Sequence, residues 1–116
     1  MRFYTTNHTW LEQVAPGKFA VGLSEFAKEM MGGVEYIDRP HVHVLYKELD
    51  IFAEVESAKE VATVEMPVGA GGTCTGEVEP EDALGVFEGT FSTDGLMSEE
   101  EYAEYIRQRR KSNDNG

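Results

Sequence analysis

Two short alternating runs separated by five polar residues constrain this chain more than any other feature. Ile51, Ala53 and Val55 fall on one face of the first run, and Ala62, Val64 and Met66 on one face of the second. A period of two is that of a half-buried β-strand. Between the runs, Glu56-Ser57-Ala58-Lys59-Glu60 reads as the tip of a β-hairpin. The usual Asn-Gly or Asp-Gly turn signal is absent, so the turn type stays open. Lys59 sits at that tip, its four-carbon stem predicted to point into solvent and its amine within reach of another protein. A lysine at a turn is most often only a solubilising residue, and the residues around it must argue for anything more.

A chain of 116 residues with 41% hydrophobic and 10% aromatic content makes one domain with a single modest core, too small for a separate catalytic domain. No apolar run is long enough to cross a bilayer, and Met1 to Trp10 lacks the pattern of a secretory signal. The single cysteine, Cys74, forms no internal disulfide and suggests a reducing compartment. It reads as a space-filling residue in a Gly/Thr-rich segment rather than a nucleophile. The net charge is −12, from 22 acids and 10 bases. Four of the bases, Arg107, Arg109, Arg110 and Lys111, lie near the C-terminal end, so residues 1–106 hold 21 acids and 6 bases, a net −15. Nucleic acid and anionic membranes are therefore poor partners, and proteins with basic rims better ones. Glu54, Glu56, Glu60 and Glu65 carry the acidic bias to the hairpin itself.

The remaining chain reads as short strands and two helices. Phe3-Tyr4-Thr5 and Thr9-Trp10-Leu11 flank Asn7-His8, with Trp10 a core anchor and His8 a turn or surface histidine. Ala15-Pro16-Gly17-Lys18 supplies turn chemistry before the strand Phe19-Ala20-Val21. Ser24 caps a helix whose Phe26, Ala27, Met30 and Met31 form one core-filling face, stopped by Gly32-Gly33. Val34 to Ile37 is a strand ended by Pro40. His41 and His43 fall on one side of a possible strand and could offer two zinc ligands, but no further His/Cys cluster completes a site, so no metal is expected. The glycine-rich Val68–Gly76 lacks the Gly-Lys-Ser/Thr ending of a phosphate cradle and reads as turn and bulge chemistry. Glu77 to Asp82, with Pro80, is an acidic exposed loop. Ser98 and Glu101 have capping-box spacing, and Met97 is placed to staple onto Tyr102. Acids first and bases last suit the dipole of a helix from Glu99 to about Arg110. A single domain over 1–111 and a frayed tail at 112–116 follow.

Three blocks and one short motif carry a resemblance to a known family. Glu56-Ser57-Ala58-Lys59-Glu60-Val61, with Pro67 eight residues after the lysine, resembles the lipoyl-attachment hairpin of glycine cleavage system H proteins, where Glu-Ser-x-Lys-x-Val precedes Ala-Pro at that distance. Biotin-carrying domains put methionines beside their lysine, where this chain has Ala58 and Glu60. Val21 to Pro40 resembles the family's Val-Gly-Ile-Thr-acid-aromatic-Ala block and the strand after it. His8-x-Trp10 matches its His-x-Trp, and Leu96 to Tyr102 its terminal Leu-[Leu/Met]-Ser-x-x-Glu-Tyr. The chain departs from the pattern at Leu45–Leu49, at Gly69-Ala70 in place of Ser-Gly, and in a shortened stretch after Glu79.

The resemblance implies a mainly β fold: a flattened β-barrel or barrel-sandwich hybrid of two small antiparallel sheets, like a lipoyl domain, with short peripheral helices and a C-terminal helix. It implies a monomeric, non-catalytic carrier with lipoate attached covalently to Lys59. Glu56, Ser57, Ala58 and Glu60 would then be read by lipoylating or partner enzymes, Glu56 foremost because it matches the family motif. The partners implied are glycine decarboxylase (P protein), aminomethyltransferase (T protein), dihydrolipoamide dehydrogenase (L protein) and the lipoyl-attaching enzymes. The implied compartment is the cytoplasm, or a mitochondrial or related organelle matrix. Two alternatives stand beside this reading: an H-like carrier serving lipoyl relay or sulfur metabolism, and an unmodified β-domain that binds a protein partner.

Overall fold

In the computed structural model, which describes residues 1–115, the chain runs β1 (Arg2–Tyr4), β2 (Thr9–Ala15), β3 (Lys18–Leu23), α1 (Glu25–Met30), β4 (Tyr36–Asp38) and β5 (Leu45–Tyr46). It continues through β6 (Ile51–Glu56), β7 (Val61–Glu65), β8 (Gly71–Cys74), β9 (Ala83–Thr90) and α2 (Glu99–Asn115). The strand pairs are antiparallel and make two sheets, a six-stranded one in the order β1-β2-β3-β9-β8-β5 and a three-stranded one in the order β4-β6-β7. No ladder joins them among the described residues, so the flattened barrel is two facing sheets, not closed by hydrogen bonds. Among the described residues no helix is long and apolar enough to cross a membrane.

The core lies between the sheets. Leu11, Phe19 and Val21 face inward from the larger sheet and meet Phe52, Val55, Val64 and Met66 of the hairpin. Phe87 joins the two layers, its ring centroid 5.6 Å from Phe19 and 5.3 Å from Phe52. The alternation expected for β6 fails at its start: a register irregularity between Ile51 and Ala53 turns both Phe52 and Ala53 inward and leaves Ile51 on the outside, 55% exposed. Cys74 is a buried free thiol in this core, as its space-filling reading requires. The glycine-rich segment supplies β8, paired to β9 on one side and β5 on the other.

Trp10 is an anchor, but of a second cluster. Ala20 alternates with Phe19 and Val21, so it faces away from the main core, and Trp10 packs there with Ala20, Ala83 and Val86. The Arg2 guanidinium lies 3.6 Å over the indole and is held by Asp82 and Glu12. Beneath the ring runs the bare backbone of Gly22, where a Cβ would stand 2.3 Å from the indole.

Both helices are capped as their sequences indicate. The Ser24 hydroxyl accepts the Ala27 N–H at 3.2 Å, and Ser98 exchanges bonds with Glu101, its N–H donating to the Glu101 carboxylate at 2.8 Å while its hydroxyl accepts the Glu101 N–H at 3.2 Å. Three expectations for the helices change. Met30 is 54% exposed, while Phe26 and the capping residue Met31 are buried and Ala27 packs against the core. The staple on Tyr102 is the Tyr4 ring, stacked at 4.2 Å, while Met97 is tied to Tyr4 through backbone bonds of 2.8 Å. The second helix continues past Arg110 to Asn115, so no base falls in its last turn. Arg110 instead donates to Glu29 at 2.8 Å and lies over Phe26, bracing α2 against α1. Of the tail expected at 112–116, the backbone is helical to Asn115, while Gly116 and the side chains beyond Lys111 lie outside the described residues.

A polar node locks these parts together. The buried Tyr102 hydroxyl lies 2.7 Å from Ser24 Oγ and 2.9 Å from His8 Nδ1, tying α2 to the cap of α1 and to the β1–β2 turn. His8 is thus a turn residue, with φ 67°, and half-buried against Phe26 and Tyr105.

Two outcomes follow from this packing. Gly22→Ala should lower stability by about 3 kcal/mol in urea unfolding, because the indole cannot move aside without leaving its own packed site. Burial, and then the Arg109 cation, hold the His8 imidazole below its ordinary value. The unfolded chain therefore takes up the proton first, so the stability from neutral His8 is complete above about pH 6.5 and is lost as pH falls through the lower folded value. His8→Asn, which suits the positive φ, should flatten the stability profile below that pH in melts run at a series of pH values.

Candidate cofactor-attachment site

The tip of the β6–β7 hairpin is built around one hydroxyl. Ser57 N–H donates to the Glu60 carbonyl at 2.9 Å, and Ser57 Oγ accepts the N–H groups of Lys59 and Glu60 at 3.3 and 3.2 Å. The same hydroxyl donates to the Glu60 carbonyl at 3.4 Å. No tip residue has a positive φ, which excludes the primed turns and explains why no Asn-Gly or Asp-Gly pair is needed. A serine side chain does the work of the missing turn bond. Ser57 is accordingly buried, while Glu56, Ala58, Lys59 and Glu60 are exposed.

Lys59 does not project unsupported into solvent. Its Cε lies 3.5 Å and its Nζ 3.9 Å from the point a Cβ of Gly32 would occupy, so the stem crosses the bare turn that ends α1. Gly32 has φ +80° there, a conformation other residues rarely adopt. The glycine that stops the helix also keeps open the ground under the lysine, and sequence reasoning assigned it only the first role.

Beside the tip a groove of about 410 Å³ runs between α1 and β7. Phe26, Met30, Met31 and Ala62 make its apolar lining, with His8 and Arg109 at the end nearest α2. It continues into a more polar slot along Thr9, Thr63 and Glu65. The exposure of Met30, which core filling does not explain, fits this lining. A polymethylene chain attached at the exposed Lys59 amine fits such a surface: the attachment atom is accessible and the neighbouring wall is aliphatic, aromatic and thioether.

The other candidate positions assemble nothing. His41 and His43 lie in a turn, not on a strand, with His43 at φ 70°. Among the described residues no group of three or more His, Cys, Asp or Glu is placed to hold a metal.

Removing the tip hydroxyl tests its role. Ser57→Ala should cost about 1 kcal/mol and speed hydrogen exchange at the Lys59 and Glu60 amides, read by NMR, without altering the core amides.

The sequence pattern of the family described as "Glycine cleavage H-protein" matches residues 2–83. A probable glycine cleavage system H protein of Thermococcus kodakarensis is 29% identical over 111 residues, covering 96% of this chain and 75% of the relative. The glycine cleavage system H protein of Escherichia coli is 35% identical over 82 residues, covering 70% of this chain and 59% of the relative. This chain spans between about half and three-quarters of the length of such curated relatives. Its fold is like that of the crystal structure of a glycine cleavage system H protein from Mycobacterium marinum, with a TM-score of 0.73 at 21% identity, covering 90% of this chain and 95% of the other. With the family pattern extending from the first strand into the last, the chain belongs to the glycine cleavage H-protein family, a family of non-catalytic lipoyl carriers.

Proposed function

We propose that this chain carries lipoate on Lys59 and serves glycine cleavage, moving the aminomethyl group of glycine between glycine decarboxylase, aminomethyltransferase and dihydrolipoamide dehydrogenase. The observation that carries the attachment point is the exposed Lys59 amine on a hairpin tip whose shape is held by the Ser57 hydroxyl. Acylation there removes one positive charge and leaves an amide. The bound group supplies a long disulfide-bearing arm able to take up an aminomethyl group and to cycle between disulfide and dithiol. Lys59 tethers that arm at high effective concentration for each partner in turn. Phe26, Met30 and Met31 offer it an apolar resting surface close to the tether. Glu56 and Glu60, both exposed, steer enzymes with basic rims toward the tip.

A second reading, an H-like carrier serving lipoyl relay or sulfur metabolism, draws support from the altered turn at Gly69-Ala70 and from the shortened stretch after Glu79. Intact mass spectrometry of protein from its own cells tests the attachment: a lipoyl adduct is expected on the wild type and absent from Lys59→Arg. Wild-type protein wholly without adduct, in cells with a working lipoate supply, would refute the carrier reading. Glycine-dependent loading of the modified protein by purified glycine decarboxylase then separates the two pathways, since a carrier for another pathway stays unloaded.

A further inference from the structure

The solvent face of the lysine-bearing sheet holds a row of side chains that tethering and steering leave partly unused. Tyr36 of β4 is paired with Glu56 of β6, and Glu56 with Val61 of β7. Directly opposed residues in such ladders stand about 5 Å apart, so the three side chains form one continuous strip across the sheet. Tyr36 is 62% and Val61 55% exposed, and Glu56 between them is exposed as well. Their neighbours Ile37, Val55 and Ala62, one residue along on the same strands, turn inward to the core. The following outward row, Asp38, Glu54 and Thr63, is exposed and contains no large apolar group. An aromatic ring and a branched aliphatic side chain therefore flank one carboxylate at the end of the sheet nearest the tip, and only there.

We infer that Tyr36 and Val61, on either side of the Glu56 that the family motif already implicates, complete with it the strip by which a lipoyl-attaching enzyme recognises this protein. The inference rests on Lys59 being the attachment site. Position chooses this partner over the others, because an enzyme that works on a finished arm need reach only its far end. The enzyme that forms the amide must bring its active site to Nζ and cover the strands immediately below it. The Lys59 stem lies over Gly32, four residues before Tyr36 in the chain, so amine and strip belong to the same end of the molecule. Charge defines the complementary surface: Glu35 and Glu54 are exposed around the strip, so the partner presents a basic residue to Glu56 between two apolar contacts. Tyrosine is among the residues that dominate interface energetics, since it buries a large rigid surface at little entropic cost.

In the transfer itself, the bond from Nζ to the lipoyl carbonyl carbon forms as the bond from that carbon to the adenylate oxygen breaks. AMP leaves, and the lysine ammonium gives up two protons, one before and one after attack. The strip takes no part in these bonds; its residues position the protein.

The test uses the full-length unmodified chain, lipoate, ATP and a purified lipoate-protein ligase, with steady-state rates measured against carrier concentration. Tyr36→Ala should raise KM about ten-fold and Val61→Thr several-fold, with kcat held within about two-fold, the split expected when binding rather than chemistry is lost. Tyr36→Phe, which keeps the ring, and Asp38→Ala, in the next row, should behave as wild type. Val61→Thr retains a branched β-carbon suited to the strand, so it reads the strip even if the tyrosine variant loses stability. Unchanged KM in Tyr36→Ala, in Val61→Thr and in the double variant, with wild type fully modified at Lys59, overturns the strip and leaves the attachment reading intact. Wild type that gains no adduct overturns both.

Discussion

Among the described residues no strand ladder joins the two facing sheets, so side-chain packing holds the sheet that bears Lys59 to the larger one. Phe87 bridges the gap, within 5.6 Å of Phe19 in its own sheet and 5.3 Å of Phe52 on the hairpin. Val55, Val64 and Met66 complete the hairpin side, all almost fully buried. Burying side chains of this size stabilises by about 1.5–3 kcal/mol each, which suffices to fix the small sheet on the large one without backbone pairing between them. The same arrangement leaves β7 as an edge strand, and the groove beside Lys59 exists because that edge is unpaired. A closed barrel would have filled it with a ladder.

The walls of the groove depend on contacts distant in sequence. Tyr102 of the C-terminal helix reaches both Ser24 and His8, so one hydroxyl determines where α1 begins and where the β1–β2 turn lies. Arg110 adds an ion pair to Glu29 and stands over Phe26. The pair is exposed, so its stabilisation is small and falls with salt, and the buried hydroxyl node carries more of the docking. Trp10, Arg2 and Asp82 do the same for the outer face of the larger sheet, where the guanidinium keeps the Asp82 carboxyl below the usual carboxylate range. The Lys59 tip thus sits on a hairpin whose base, flank and opposite sheet are each fixed by a different kind of interaction.

Much of this was legible before any coordinates. The period-two run after Lys59, the Ser24 cap and the Ser98–Glu101 box are local: each depends on residues within a few positions of one another, and each appears in the structure. Errors arose where one residue answers to partners far along the chain. Ile51 points outward because a bulge, invisible in the hydrophobic pattern, shifts the register of β6. Met30 has the right spacing for the core but lies beside a groove that only the approach of β7 creates. Tyr4 rather than Met97 meets Tyr102, since β1 pairs with the bridge before α2.

The residues alone determined that this is a mainly β chain, that Lys59 stands on a short hairpin tip, and that the chain carries the motifs of the H-protein family, because these rest on periodicity, capping and letter order. Only the folded arrangement decided that the lysine stem lies across Gly32, that Met30 lines a groove, and that Tyr36, Glu56 and Val61 share one exposed row. Each of those depends on which elements approach one another in space, and hydrophobic burial, being non-directional, leaves that choice to the packing of the whole.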